Sequence, residues 1–501
     1  MLKGPDEWLS THADRSPDRR FLLLEDGSAL TYGHFDELVA GYGGALRQAG
    51  VKAADRVVVQ AGKSPEALAL CLACLRIGAI YTPLNTAYTP AELEYFLQDA
   101  DPALLVLDQE ADRPKAVAPG VPVETLGDGG TLSAAARTAP PHREQARFDL
   151  DAPAAMLYTS GTTGRPKGAV LSRRVLASNA AALARIWEFG PEDVLLHALP
   201  IFHAHGLFIS TNTVLAAGAS MVFLKKFDAA QVMAWLPRCT VMMGVPTFYT
   251  RLLERRELDR AAVKGVRLFV SGSAPLLPET HRRFKERTGH AILERYGMTE
   301  TLVISSHPYH GERRPGSVGF PLPDVQVRIA DPATGKVLPA GEIGVIEVRG
   351  PNLFDGYWRA PDKTAQDMRP DGFFITGDLG MLDAEGQIHI VGRSKDLIIS
   401  GGYNVYPKEV ETEIDSLPGV KESAVVGVPH PDFGEGVIAI VIPLPGAELD
   451  PNSIIDALNG RLARYKQPKR VFIEAELPRN AMGKVQKELL RQKHRETFTT
   501  A

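Results

Sequence analysis

The sequence predicts an α/β chain, with a large N-terminal domain of layered α/β subdomains and a small β-barrel-like part, followed by a small α+β domain. Three observations carry this. At 501 residues the chain is too long for one core, so several lobes are expected. From 30 to 107, and again from Ala154 to about Ile304, helical patterns alternate with short β-branched runs, as in a layered sheet. From Gly316 to Ile390 the period changes to two, with Gly and Pro at the breaks, as in antiparallel strands and barrels.

In chain order, Val57-Val58-Val59 is a strand, Glu66 to Ile77 a helix and Ala103 to Leu107 a strand. Residues 108 to 150 are rich in Pro, Gly and charge and read as a long surface connection. The apolar run Ala154 to Leu157 is a buried strand, and further strands are Val194 to Leu199, Ser220 to Leu224, Thr240 to Gly244 and Leu268 to Ser271. Val325 to Ile329 and Val345 to Val348 alternate apolar with polar. A boundary at Val391-Gly392-Arg393-Ser394-Lys395-Asp396 gives domains 1–394 and 395–501. The second holds helices at Glu409 to Ile414 and Ser453 to Arg461, and strands at Ser423 to Val428 and Val437 to Ile442.

The 56 basic and 60 acidic side chains leave a formal charge of −4, which gives no support for nucleic acid as a partner. No apolar run approaches the roughly 20 residues of a membrane span, and no signal peptide is evident. Three cysteines suit a reducing, cytoplasmic setting. Cys71 and Cys74 fall inside the apolar run Ala67 to Leu75 and read as core residues rather than a redox pair.

The chemistry concentrates in Tyr158-Thr159-Ser160-Gly161-Thr162-Thr163-Gly164-Arg165-Pro166-Lys167-Gly168. Glycines let a backbone approach an anion, hydroxyls donate to it, and Lys167 adds a compact charge. Pro166 before the lysine and Gly168 after it exclude the P-loop pattern. The stretch resembles the signature T-S-G-T-T-G-x-P-K-G of adenylate-forming enzymes, the superfamily of acyl-CoA synthetases, luciferases and peptide-synthetase adenylation domains. The resemblance implies that Thr159, Ser160, Gly161, Thr162, Thr163, Gly164 and Lys167 hold ATP phosphates.

Further segments match that superfamily in order. Ser273-Ala274-Pro275, after a strand, has room for a flat ring, though a plain strand-to-helix turn reads the same way. In Glu294-Arg295-Tyr296-Gly297-Met298-Thr299-Glu300, similar to Y-G-x-T-E, Tyr296 offers a face to a base, Gly297 permits close approach and Thr299 a donor to phosphate. Glu300 is a hard oxygen ligand for Mg²⁺; a helix start with an acidic first turn would also explain it. By resemblance Glu294 and Arg295 join the nucleotide site. Thr376-Gly377-Asp378 resembles the T-G-D whose aspartate takes the ribose hydroxyls, with Arg393 beside it. Pro478-Arg479-Asn480-Ala481-Met482-Gly483-Lys484 is similar to P-R-x-x-x-G-K, which makes Lys484 the adenylation lysine. The resemblance further implies a mobile C-terminal domain with its hinge at Lys395. Ser400-Gly401-Gly402-Tyr403 resembles the loop that admits CoA, although a carrier-protein arm brings the same pantetheine thiol.

The acid pocket, by resemblance, draws on His203 and His205, the segment around Thr247, and the start of a helix at Arg282, with Met298 near the adenylate. These segments look like malonyl-CoA synthetases. That likeness implies a ligase with ATP, Mg²⁺ and CoA, acting on a small dicarboxylic acid, malonate or methylmalonate, whose distal carboxylate meets Arg282. A bidentate guanidinium suits a dianion, yet Arg282 also reads as a solvated helix charge.

Overall fold

The computed structural model describes residues 2–109, 121–144, 149–159, 166–480 and 483–498. They form two units, one of 1–326 with 348–374 and the other of 327–347 with 375–501. The division therefore falls after residue 374, and Lys395 lies inside the second unit.

The first unit holds two sheets. The larger, of nine strands, has at its centre Leu293–Met298, Leu268–Ser271, Val241–Gly244, Val194–His197 and Ser220–Phe223, in that order. These neighbours pair in parallel. Parallel strands are covered on both faces, so they read as unbroken apolar runs. Val222, Met242 and Phe269 are fully buried, and Tyr249 and Phe284 pack on them from the helices Pro246–Leu253 and Pro278–Thr288. Tyr249 and Phe284 meet edge to face at 5.4 Å, and the Tyr249 hydroxyl donates to the Val270 carbonyl at 2.6 Å. The strand ends at His197, Gly244 and Ser271 all lie at the carboxyl edge, where open α/β sheets bind ligands.

The second sheet, of seven strands, runs Gly356–Tyr357, Lys167–Ser172, Pro153–Thr159, Ile80–Pro83, Arg56–Gln60, Leu104–Asp108 and Val123–Leu126. Its last strand shows that the long surface connection expected over 108 to 150 carries regular structure. Val123–Leu126 pairs in parallel with Leu104–Asp108, and the helix Thr131–Thr138 buries Leu132. Short elements among glycines and prolines carry too little periodicity to be read. The helix Pro65–Ile77 behaves as expected: Ser64 caps it, and Gly78 ends it at φ +79°. Cys71 and Cys74 on it, and Cys239 elsewhere, are free and buried, with burial raising the thiol pKa of each.

The second unit holds a four-stranded sheet in the order Gln326–Ala330, Gly344–Arg349, Phe374–Leu382 and Ile388–Arg393. It also holds a five-stranded sheet around the long hairpin Val420–His430 and Gly434–Pro443. Alternation splits that hairpin between two cores. Val425, Val437 and Ala439 face the helix Pro407–Asp415, whereas Val426, Ile438 and Ile440 pack with Leu490. Among the described residues no helix is long and apolar enough to cross a membrane.

Candidate active site

In the first unit the phosphate segment begins on the strand Pro153–Thr159 and returns on Lys167–Ser172, with Thr159 opposite Lys167. Ser160, Gly161, Thr162, Thr163 and Gly164 lie outside the described residues. Lys167 Nζ sits 5.9 Å from the ring centre of Tyr357. The Tyr357 hydroxyl donates to Glu300 Oε1 at 3.0 Å, and burial raises its pKa. One tyrosine thus brings the phosphate segment and the Y-G-x-T-E segment together. Sequence reasoning passed over Tyr357; its signal was the run Gly356-Tyr357-Trp358, whose strand pairs with Lys167–Ser172.

Glu300 is 5% exposed, and the Phe354 N–H donates to its carbonyl at 2.8 Å. The acidic segment is a strand, Leu293–Met298, followed by a turn at Thr299 and Glu300, not a helix start. Gly297 is obligatory there: a Cβ would stand 1.7 Å from the Leu302 carbonyl oxygen, at a point where the register shifts. Among the described residues no three His, Cys, Asp or Glu cluster as a metal cage. One buried carboxylate fits Mg²⁺, which keeps phosphate and water oxygens as its other ligands.

The loop after Leu268–Ser271 carries Ser273, Ala274 and Pro275 at the carboxyl edge of the sheet. Ser273 has φ +71°, a conformation that costs a non-glycine residue about 1–3 kcal/mol and is typical of functional loops. Its hydroxyl meets His205 Nδ1 at 3.1 Å, and the His205 N–H donates to His203 Nδ1 at 3.2 Å. His205 opens a π-helical turn, His205–Ser210, a rare geometry frequent at functional sites. Burial first, and then the charge of Arg295, hold both imidazoles neutral: His203 falls to about 4 and His205 well below its usual value. Met298 is half-buried at the end of its strand.

Arg282 is placed differently. Its side chain is 57% exposed, and its guanidinium donates to Glu279 at 2.7 Å and to Glu286 at 2.5 Å, both on its own helix. It lines a groove with His281, Lys285 and the 311–315 segment. None of these contacts is to His203 or Met298.

In the second unit, Asp378 is 4% exposed and accepts from Arg393 Nε at 3.0 Å. Gly377 at φ +72° turns the chain, and the Asp378 N–H donates to Thr376 Oγ1 at 3.1 Å. Lys484 feels this pair: burial, and next the positive charge of Arg393, pull its ammonium down to about 8, while Asp378 opposes them. Lys395 sits in the single turn Ser394–Asp396. The Ser400–Tyr403 segment is a tight hairpin with Gly401 at φ +59° and Gly402 at φ +82°, which only glycine adopts freely at both positions. Tyr403, 60% exposed, stacks on Tyr465 at 4.8 Å, and Lys469 lies 4.0 Å over the exposed ring of Phe433. Lys466 is tied to Glu409 at 2.6 Å.

Comparison with known proteins gives the family. Residues 9–358 match the AMP-binding enzymes, and residues 409–484 match the AMP-binding enzyme C-terminal domain. The chain belongs to this family. It is similar to ATP-bound MatB from Rhodopseudomonas palustris, with 50% identity, a TM-score of 0.96, and coverage of 99% of this chain and 100% of that one. It is 38% identical to the mitochondrial malonate–CoA ligase ACSF3 of Mus musculus, over 83% of this chain and 78% of the relative. It is 35% identical to the indoleacetate–CoA ligase of Aromatoleum aromaticum, over 97% of both. The chain is an AMP-forming acid–CoA ligase, with ATP, CoA and a carboxylic acid as substrates.

Proposed function

We propose that the acid is a short dicarboxylate, malonate first and methylmalonate second, and that the chain makes malonyl-CoA, AMP and pyrophosphate through a malonyl-adenylate. The observation that supports this is electrostatic. The buried region around His203 and His205 carries the positive charge of Arg295, beside which both imidazoles stay neutral. A dianion gains most from such a site. The likeness to malonate–CoA ligases points the same way.

In this reading a carboxylate oxygen of the acid attacks the α-phosphorus of ATP in line, and pyrophosphate leaves. The 159–168 segment with Lys167 and Thr299 holds the departing phosphates, and Glu300 would hold Mg²⁺, which when bound would supply charge neutralisation on those phosphates. Ser273, Ala274, Pro275 and Tyr296 take the adenine; Asp378 and Arg393 take the ribose. His203 borders the reacting carboxylate as a neutral donor or acceptor. The Lys484 ammonium meets the negative charge that builds between acid and α-phosphate. The C-terminal domain then turns about Lys395, and the Ser400–Tyr403 hairpin admits the CoA thiol. The thiolate sulfur bonds to the acyl carbon, and AMP departs with the electrons of the broken C–O bond.

The indoleacetate relative favours a second reading, an aromatic acid. A single experiment separates the two: AMP release with ATP, Mg²⁺ and CoA across malonate, methylmalonate, succinate, acetate, butyrate, indoleacetate and a cinnamate. Turnover concentrated on malonate and methylmalonate supports the proposal. Faster turnover of monocarboxylates or aromatic acids removes malonate and leaves the ligase.

A further inference from the structure

Lysine usually keeps its ammonium in water, and Lys63 does not. It stands in the loop between the strand Arg56–Gln60 and the helix Pro65–Ile77, with its Nζ turned inward. There it donates to His197 Nδ1 at 2.6 Å and to the His197 carbonyl at 2.8 Å, and it lies 4.3 Å from the ring centre of Phe223. Burial works against its charge, and its bonded partner is a histidine instead of a carboxylate. The Lys63 loop follows a strand of the seven-stranded sheet, and His197 ends a strand of the nine-stranded one, so this link joins the two sheets of the first unit.

The two partners of His197 fix its proton. The ring is fully buried, and burial, followed by the charge of Lys63, keeps it neutral. Its Nε2 lies 2.9 Å from the Gly206 carbonyl, which can only accept. Nε2 therefore carries the hydrogen, and Nδ1 is the bare acceptor that Lys63 meets. Gly206 belongs to the π-helical turn His205–Ser210. Its carbonyl also accepts from the Thr211 N–H and, at 3.0 Å, from the Thr211 hydroxyl. On its other side Gly206 presses on Pro200, where an added Cβ would stand 2.1 Å from the carbonyl oxygen. The turn is thus held from two sides, and it carries His205, whose N–H donates to His203 Nδ1.

We propose that Lys63 and His197 are positioning residues for the acid: Lys63 holds the His197 ring in its Nε2–H form, that N–H pins the Gly206 carbonyl, and the turn so pinned sets where His203 and His205 stand. This rests on the placing of His203 beside the reacting carboxylate in the reading above, and it holds whichever acid is taken.

The test is pyrophosphate–ATP exchange by the full chain with its best acid, for K63M, H197L, H197Q, H203A and K63M/H203A. K63M and H197L should each lose about 30-fold in kcat/KM for the acid, with acid KM raised about fivefold or more and ATP KM within about threefold of wild type. A part in stability alone would lower the melting temperature and leave acid KM unchanged. H197Q, whose amide N–H can reach the Gly206 carbonyl in place of Nε2, should recover to within about fivefold of wild type. K63M should add less than about twofold to the loss in H203A, since both act through one imidazole. Ring-nitrogen NMR shifts of His197, assigned by their loss in H197Q, should show a protonated Nε2 and a bare Nδ1 in wild type and a mixture of the two forms in K63M. If K63M does not fold, H197L and H197Q carry the test. Unchanged acid KM in K63M and H197L, losses that multiply in the double variant, or a wild-type ring protonated on Nδ1 overturns the role of Lys63 while His203 keeps its place. An H203A within about threefold of wild type removes His203 from the carboxylate, and this role with it.

Discussion

At the residue scale, Lys484 and Arg295 show how burial acts differently on two cations, one in each unit. Both are cations that burial destabilises, yet Lys484 comes down to about 8 whereas Arg295 stays charged well above neutrality. Lys484 therefore titrates in the working range, and its sign is clear. The charged form dominates below pH 8, and in the mechanism proposed above the neutral form that takes over at higher pH cannot meet the transition-state charge. The adenylation rate should fall about tenfold per pH unit above pH 8, whereas K484R should stay flat to higher pH. K484A should lose about 10²–10³-fold in pyrophosphate exchange at pH 7, with acid binding kept. An alkaline limb unchanged in K484R would assign that limb to another group. The sequence singled out this lysine by its P-R-x-x-x-G-K spacing. The burial of Arg295 was not legible there, because arginine in a sequence reads by default as a surface or nucleotide-site charge.

At the element scale, strands end where chemistry begins, and glycine makes the ends feasible. Gly297 lets the strand Leu293–Met298 run against the Leu302 carbonyl at a distance no side chain permits. G297A should cost more than about 3 kcal/mol, measured by urea unfolding, or leave no soluble protein; a loss below about 1 kcal/mol would mean that the strand pair yields more readily than its geometry indicates. The strands themselves were legible because buried parallel strands are short, apolar and β-branched. Val123–Leu126 was not, since its membership of a sheet depends on pairing with Leu104–Asp108 and not on its own pattern.

At the scale of the whole molecule, the motifs were legible throughout, since each is a local run of special residues. The grouping of the chain was less so. The segment 327–347 joins the second unit through the sheet it shares with Phe374–Leu382 and Ile388–Arg393, a pairing across sequence that no local run announces. If the C-terminal hairpin serves only the thiol step, the two half-reactions should separate genetically. Y403A should leave malonate-dependent pyrophosphate exchange within about twofold of wild type and reduce thioester formation about tenfold, from the lost aromatic stacking. Equal losses in both would place Tyr403 in adenylation. A practical consequence comes from Cys71, Cys74 and Cys239, whose sulfurs are sealed in the interior and held protonated. In the native enzyme a chromogenic disulfide added to the assay would be colour-blind to the protein, so every absorbance change would count free CoA. The same reagent would register three extra equivalents once the chain is denatured, and so one cuvette reports both turnover and the loss of the fold.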